Sequence, residues 1–213
     1  MLVASAMADA IRSAMGFPTP VSAQLTGWAT GVISEIHNAK VNNIAGTITG
    51  VTAPGSPLSA GAGVGGIISA MSPSSMASSV QAAAGYPSVS SQLSTFCAQI
   101  VLHIQTMGTV TFAAGHITGT CTNTPLSPGP LVAGAGSGGK IIGLSGSTLA
   151  SAIHAAVGYP GGVSAPLTNF CTAMVNYIMT NADVSYASGS VTGTCPTGGG
   201  PLSNGAGANG TIA

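Results

Sequence analysis

Apolar positions recur along this chain with two periods, and the change from one to the other happens three times. Leu25, Trp28, Ala29, Val32, Ile33 and Ile36 follow the i, i+3, i+4, i+7, i+8 spacing of a helix with one buried stripe. Leu93, Phe96, Cys97, Ile100, Val101 and Ile104 repeat it, and so do Leu167, Phe170, Cys171, Met174, Val175 and Ile178. A shorter Ala-rich helix precedes each stripe, over about 4–15, 74–84 and 146–157. Each short helix stops at the glycine of a G-[FY]-P marker: Gly16-Phe17-Pro18, Gly85-Tyr86-Pro87 and Gly158-Tyr159-Pro160. The marker's aromatic ring reads as a core plug between the two helices. Ser22, Ser90 and Ser164 are the expected N-caps of the longer helices. After each long helix come short β-like runs, such as 110–112 and 117–121, read as a hairpin joined at Gly115. A Gly-rich link, GAGVGG, GAGSGG or GAGANG, then leads to a short apolar strand.

The chain is therefore expected to be α+β, with three tandem repeats of about 70 residues over 1–69, 70–142 and 143–213. Each repeat reads as a helix-turn-helix hairpin, a short β-hairpin and a Gly-rich link, long enough to hold its own small core. The expected repeat core is Trp28, Phe96 and Phe170 with Ile36, Ile104 and Ile178. Aligned on the repeat, Ala213 falls at the position of Ile142. The strands at Ile68, Ile141 and Ile212 are thus candidates to join repeat to repeat or subunit to subunit. They could close the chain as a pseudo-threefold or pass its last strand to a neighbour.

Composition narrows the reading. Hydrophobic residues make up 45% of the chain but charged residues only 3%, against about a quarter in ordinary domains. Asp9, Arg12, Glu35, Lys40, Lys140 and Asp183 are the whole inventory and sum to zero. Such a surface is expected to be covered in an assembly. No basic patch supplies the electrostatic term of nucleic-acid binding, and no apolar run of about 18 residues predicts a membrane helix. The N-terminus lacks a basic region and reads as mature chain, not as a signal peptide.

Four cysteines invite chemistry. Cys97 and Cys121 have the same spacing as Cys171 and Cys195, and repeat 1 carries Ala29 and Thr52 instead. This predicts one disulfide inside repeat 2 and one inside repeat 3, each stabilising by roughly 3 kcal/mol in the chain-entropy model. Such bonds need an oxidising environment. The alternative is four buried thiols packing as small hydrophobes. Zinc is not expected, since CxxC spacing is missing and no histidine recurs with the cysteines. His37, His103, His116 and His154 fall at positions that hold no titratable group in common, Glu35 and Tyr177 aligning with His103 and Arg12 and Gln81 with His154. With three scattered carboxylates there is little from which to build a catalytic constellation. The glycine segments precede a strand, whereas a dinucleotide loop precedes a helix, so they read as flexible links. A period near 70 gives no regular threonine ladder for ice binding.

The segments VSAPLTNFCTAMVNYIMTN, GSVTGTCPTGGGPLSNGAG and GYPGGVSAPL resemble uncharacterised three-repeat structural proteins of tailed-bacteriophage virions, and the three copies extend the resemblance over nearly the whole chain. The resemblance implies a virion component of tail, neck, baseplate or decoration type, outside the cell, without enzymatic activity or cofactor. Its partners would be copies of itself and other virion proteins, not nucleic acid or membrane. It carries over no site residues. The other reading is a secreted or cell-surface adhesin-like repeat protein.

Overall fold

A computed structural model describes residues 1–213. It contains helices α1 (Ala4–Met15), α2 (Ala23–Asn38), α3 (Pro73–Ala84), α4 (Ser91–Met107), α5 (Gly146–Val157) and α6 (Ala165–Asn181). The strands are β1 (Lys40–Thr52), β2 (Ser59–Ser69), β3 (Thr109–Cys121), β4 (Gly129–Ile142), β5 (Val184–Cys195), the two-residue β6 (Gly200–Pro201) and β7 (Ser203–Ile212). The fold is α+β, and its strands form a six-stranded barrel. Two compact units cut across the three 70-residue segments. One gathers Met1–Ala39, Ala70–Gly108 and Gly143–Ala182; the other gathers Lys40–Ser69, Thr109–Ile142 and Asp183–Ala213. The core therefore lies in these two units and not in three small ones.

Local chemistry sets the helix limits. Ser22, Ser90 and Ser164 each accept a hydrogen bond from the backbone N–H three residues on, at 3.1–3.3 Å. Gly16, Gly85 and Gly158 end the short helices in the left-handed region, with φ of 68°, 72° and 75°. In the helical unit each helix packs on the next, and α6 packs on α1, so the set closes. The stripe residues Ala29, Val32, Ile36, Cys97, Ile100, Ile104, Cys171, Met174 and Ile178 are buried. Helices α2 and α3 touch by backbone: a Cβ on Gly27 or Gly31 would collide with main-chain atoms of α3 at Ala83 or Val80.

The joints between successive helix pairs share a device that residue identity hides. Glu35, His103 and Tyr177 align in sequence, and each accepts the N–H of the residue that opens the next short helix. Glu35 Oε1 accepts from Ser72, His103 Nε2 from Ser145 at 3.1 Å, and Tyr177 Oη from Val3 at 2.8 Å. Ser72 and Ser145 are N-caps of α3 and α5, and Val3 occupies that place before α1 without a capping side chain. The third joint compensates with a second bond, Tyr177 Oη donating to Val3 O at 2.9 Å.

In the strand unit the order is β1–β2–β3–β4–β5–β7 and back to β1, all antiparallel. Lys40 pairs with Ser69 on one side and Thr211 on the other, so the terminal strand closes the barrel within one chain. Ile68 on β2, Ile141 on β4 and Ile212 on β7 are all buried.

Two expectations about this unit fail. The predicted hairpin at Gly115 is one strand, β3, running through a register shift between Thr111 and Ile117, with Gly115 at φ 86°. Its real partners are the Gly-rich strands β2 and β4, and the third Gly-rich segment is likewise a strand, β7, paired with β5 and β1; none of the three is a link. The reason is space. A Cβ on Gly139 would meet the Phe112 ring at 2.6 Å, and one on Gly207 or Gly210 the Tyr186 ring at 2.7 Å. The glycines leave room for these rings. Asn43, Phe112 and Tyr186 align in sequence and are all buried. Phe112 and Tyr186 stack at 5.3 Å, and the Tyr186 hydroxyl donates to Asn43 Oδ1 at 2.7 Å. Asn43 Nδ2 donates in turn to Val64 O at 2.8 Å and Thr47 Oγ1 at 3.1 Å. Burial pushes the Tyr186 phenol up to about 12.

Candidate functional site: an uncharged aromatic cleft

The cysteines do not form the predicted bonds. Cys121, ending β3, is joined to Cys195, ending β5, at a sequence separation of 74. Cys97 and Cys171 are free thiols buried in α4 and α6, and burial pushes both up to about 12. The correction follows from the barrel. Closure brings sequence-aligned positions of different segments together, so the aligned cysteines bond to each other and not to the helix cysteines of their own segments. A disulfide joins only two groups, and the third aligned position carries Thr52, whose hydroxyl donates to Gly200 O at 2.9 Å. Nothing in this arrangement presents a reactive thiolate, which would require a depressed thiol pKa. No three His, Cys, Asp or Glu side chains stand close enough to hold a metal ion.

The structure instead draws attention to the helical unit, where three predicted core residues meet. Trp28 from α2, Phe96 from α4 and Phe170 from α6 contact one another edge to face. Ring centroids lie 4.8 Å apart for Trp28–Phe170, 5.9 Å for Phe96–Phe170 and 6.2 Å for Trp28–Phe96. Each such pair contributes about 0.5–1.5 kcal/mol beyond its area burial. Trp28 is nearly enclosed, while Phe96 and Phe170 are half-buried. Ile36, Ile104 and Ile178 lie deeper on the same helices and are fully buried.

The open side of this cluster is a cleft of about 420 Å³. Trp28 and Phe96 contribute rings to it, and Leu93 adds apolar surface. Tyr86, Pro87 and Ser88 line it from the α3–α4 turn, Ser90 and Gln92 from the start of α4, and Tyr159 from the α5–α6 turn. Two smaller depressions share its walls. One of about 340 Å³ includes Tyr159 and His154; one of about 210 Å³ includes Phe96 and Phe170. No Asp, Glu, Lys or Arg lines any of the three.

The aromatic residue of the G-[FY]-P marker is thus not a core plug. Phe17 is 50% exposed, Tyr159 44% exposed and Tyr86 half-buried. The signal was available in the sequence: each ring directly follows a left-handed glycine stop and lies in a turn of Pro, Ser, Thr and Gly, where chain runs over the surface. Aligned side chains hold two of these turns. Arg12 Nη1 donates to Phe17 O at 3.3 Å, and Gln81 Nε2 donates to Tyr86 O at 2.5 Å. In the third turn the aligned residue is His154. Its ring lies 6.1 Å from that of Tyr159, and its buried Nε2 has no hydrogen-bond partner in the protein. That turn also carries Gly161 and Gly162, where the second turn has only Ser88 between Pro87 and Val89.

No helix of the chain is long and apolar enough to cross a membrane. No protein-family model, curated protein or solved structure matches the chain.

Proposed function

We propose that the chain is a triplicated αα–ββ unit, with repeats 1–69, 70–142 and 143–213, serving as a non-enzymatic structural protein of an extracellular particle, a tailed-phage virion being the form its sequence resembles. The observation that carries this reading is a surface with almost no charge and with apolar side chains facing outward. Six charged residues are present and Glu35 is buried, which leaves five for a surface of 9079 Å². Outward positions on β1 and β2 carry Ile44, Val51, Val64 and Ile67, each at least half exposed, and Leu126 in the β3–β4 loop is 93% exposed. Surfaces of this kind associate unless something covers them. Assembly would proceed through such faces between whole chains, because the last strand is already used within its own barrel. The Cys121–Cys195 disulfide fits an oxidising location.

The partners proposed are copies of this chain and other virion proteins, with no cofactor. Sedimentation velocity across a hundredfold concentration range should show reversible self-association, strengthened by sulfate. A strict monomer throughout, absent from purified particles, would contradict the reading. The second reading, a secreted or cell-surface adhesin-like protein, is favoured by the neutral aromatic cleft.

A further inference from the structure

We propose that the cleft beside Trp28 is a binding site for an uncharged saccharide. The inference rests on the lining of that cleft and not on the assembly reading. Its volume of about 420 Å³ lies inside the range of roughly 300–1,000 Å³ typical of small-ligand sites. What the walls lack decides against ions. A phosphate or carboxylate placed there would lose water without an opposite charge to replace it, and an alkylammonium would meet ring faces but leave the neutral hydroxyls and amide of the walls unpaired.

What the walls offer is of two kinds. Trp28, Phe96, Tyr86 and Tyr159 supply ring surface, and Trp28 and Phe96 are already fixed by edge-to-face packing. Around them stand neutral donors and acceptors that the fold does not use. The hydroxyls of Tyr86 and Tyr159 and the side chains of Ser88 and Gln92 make no hydrogen bond within the protein, whereas Ser90 is engaged as an N-cap. A purely apolar ligand would cover these groups without pairing them. A pyranose ring matches both kinds of wall, since one face presents C–H bonds and its rim presents neutral hydroxyls. Tyr159 is the residue best placed to adjust to it. It stands at the boundary of two depressions, on the turn with two glycines and without the carbonyl bond that steadies the other two turns.

Trp28 is the chain's single tryptophan, so its fluorescence reads this cleft alone. The full chain would be titrated with neutral oligosaccharides built from glucose, galactose and N-acetylglucosamine, and separately with choline and with an apolar dye. A saturable change in Trp28 emission with at least one neutral oligosaccharide is expected. Tyr159→Ala, at an exposed position, should keep the helical circular dichroism and weaken binding at least about fivefold, the loss expected for a contact of 1 kcal/mol or more. No response to any sugar overturns the proposal. So does a response confined to choline, which would mark a cation cage, or to the dye, which would mark a plain apolar patch. Sugar binding unchanged in Tyr159→Ala would place the site elsewhere and overturn it too.

Discussion

The helical unit and the barrel face the same problem, three aligned positions brought together, and answer it differently. In the helical unit three aromatic side chains fill the positions, because rings can pack edge to face around a closed circuit. In the barrel only two are aromatic. Phe112 and Tyr186 stack, and the third position is Asn43, which receives the buried tyrosine hydroxyl. A hydroxyl enclosed among apolar groups needs a partner, so the barrel departs from three like residues to supply one. The strand ends repeat the pattern, with two cysteines bonded and a threonine at the third position. Equivalence of position, then, does not require equivalence of residue. It requires that the set of three be satisfied together.

The sharpest way to break this comparison is to open the disulfide. Reducing Cys121–Cys195, or replacing both with serine, should cost about 4 kcal/mol in the chain-entropy model for a loop of this length. Hydrogen exchange should quicken first in β3 and β5, with the helical amides little changed, and non-reducing mass analysis should find two alkylatable thiols, Cys97 and Cys171, only after unfolding. Loss of the helical ring contact comes next: Trp28→Ala should destabilise by about 3 kcal/mol, seen as a lower denaturant midpoint. Tyr186→Phe tests the barrel's polar pair. Leaving Asn43 Oδ1 buried without its donor should cost about 1–2 kcal/mol, and the double variant Tyr186→Phe with Asn43→Leu should recover part of it.

The smallest effect is a pH dependence. Burial lowers the pKa of His103 below its ordinary 6.5, in keeping with a neutral ring that accepts from Ser145. A base with a depressed folded pKa contributes its full stability above the unfolded value and loses it as pH falls below 6.5 toward the folded one. Stability should therefore decline below about pH 6.5, and His103→Gln should flatten that part of the profile in urea titrations.

The sequence-based reading succeeded where side chains announce the structure. The glycine stops placed the three short helices within a residue, and the serine caps and apolar stripes placed the starts and buried faces of the three long ones, because periodicity and end chemistry act locally. It failed where side chains are missing by necessity. GAGVGG, GAGSGG and GAGANG look like linkers because glycine has no alternation to display, yet they are strands whose emptiness complements Phe112 and Tyr186 across the barrel. The cysteine pairing failed for a related reason. Equal spacing within each segment pointed inward, while closure of the sheet joined sequence-aligned points of different segments. The cleft itself was half legible. Trp28, Phe96 and Phe170 were recognised as core residues, each of its own segment, but not as one cluster, and the exposed marker rings were assigned to the interior.

The joints at Glu35, His103 and Tyr177 extend this lesson to what such a chain can tolerate as it diverges. A carboxylate, an imidazole and a phenol share no single acceptor atom, charge or shape across all three, and an alignment scored on identity would count the position as free to drift. What the three joints share is a lone pair at a fixed place. Leucine, though a better helix former, would leave the backbone N–H of the next turn without its acceptor, whereas a fourth, unrelated acceptor of suitable reach would fit. The position is variable in its letters and narrow in its physics.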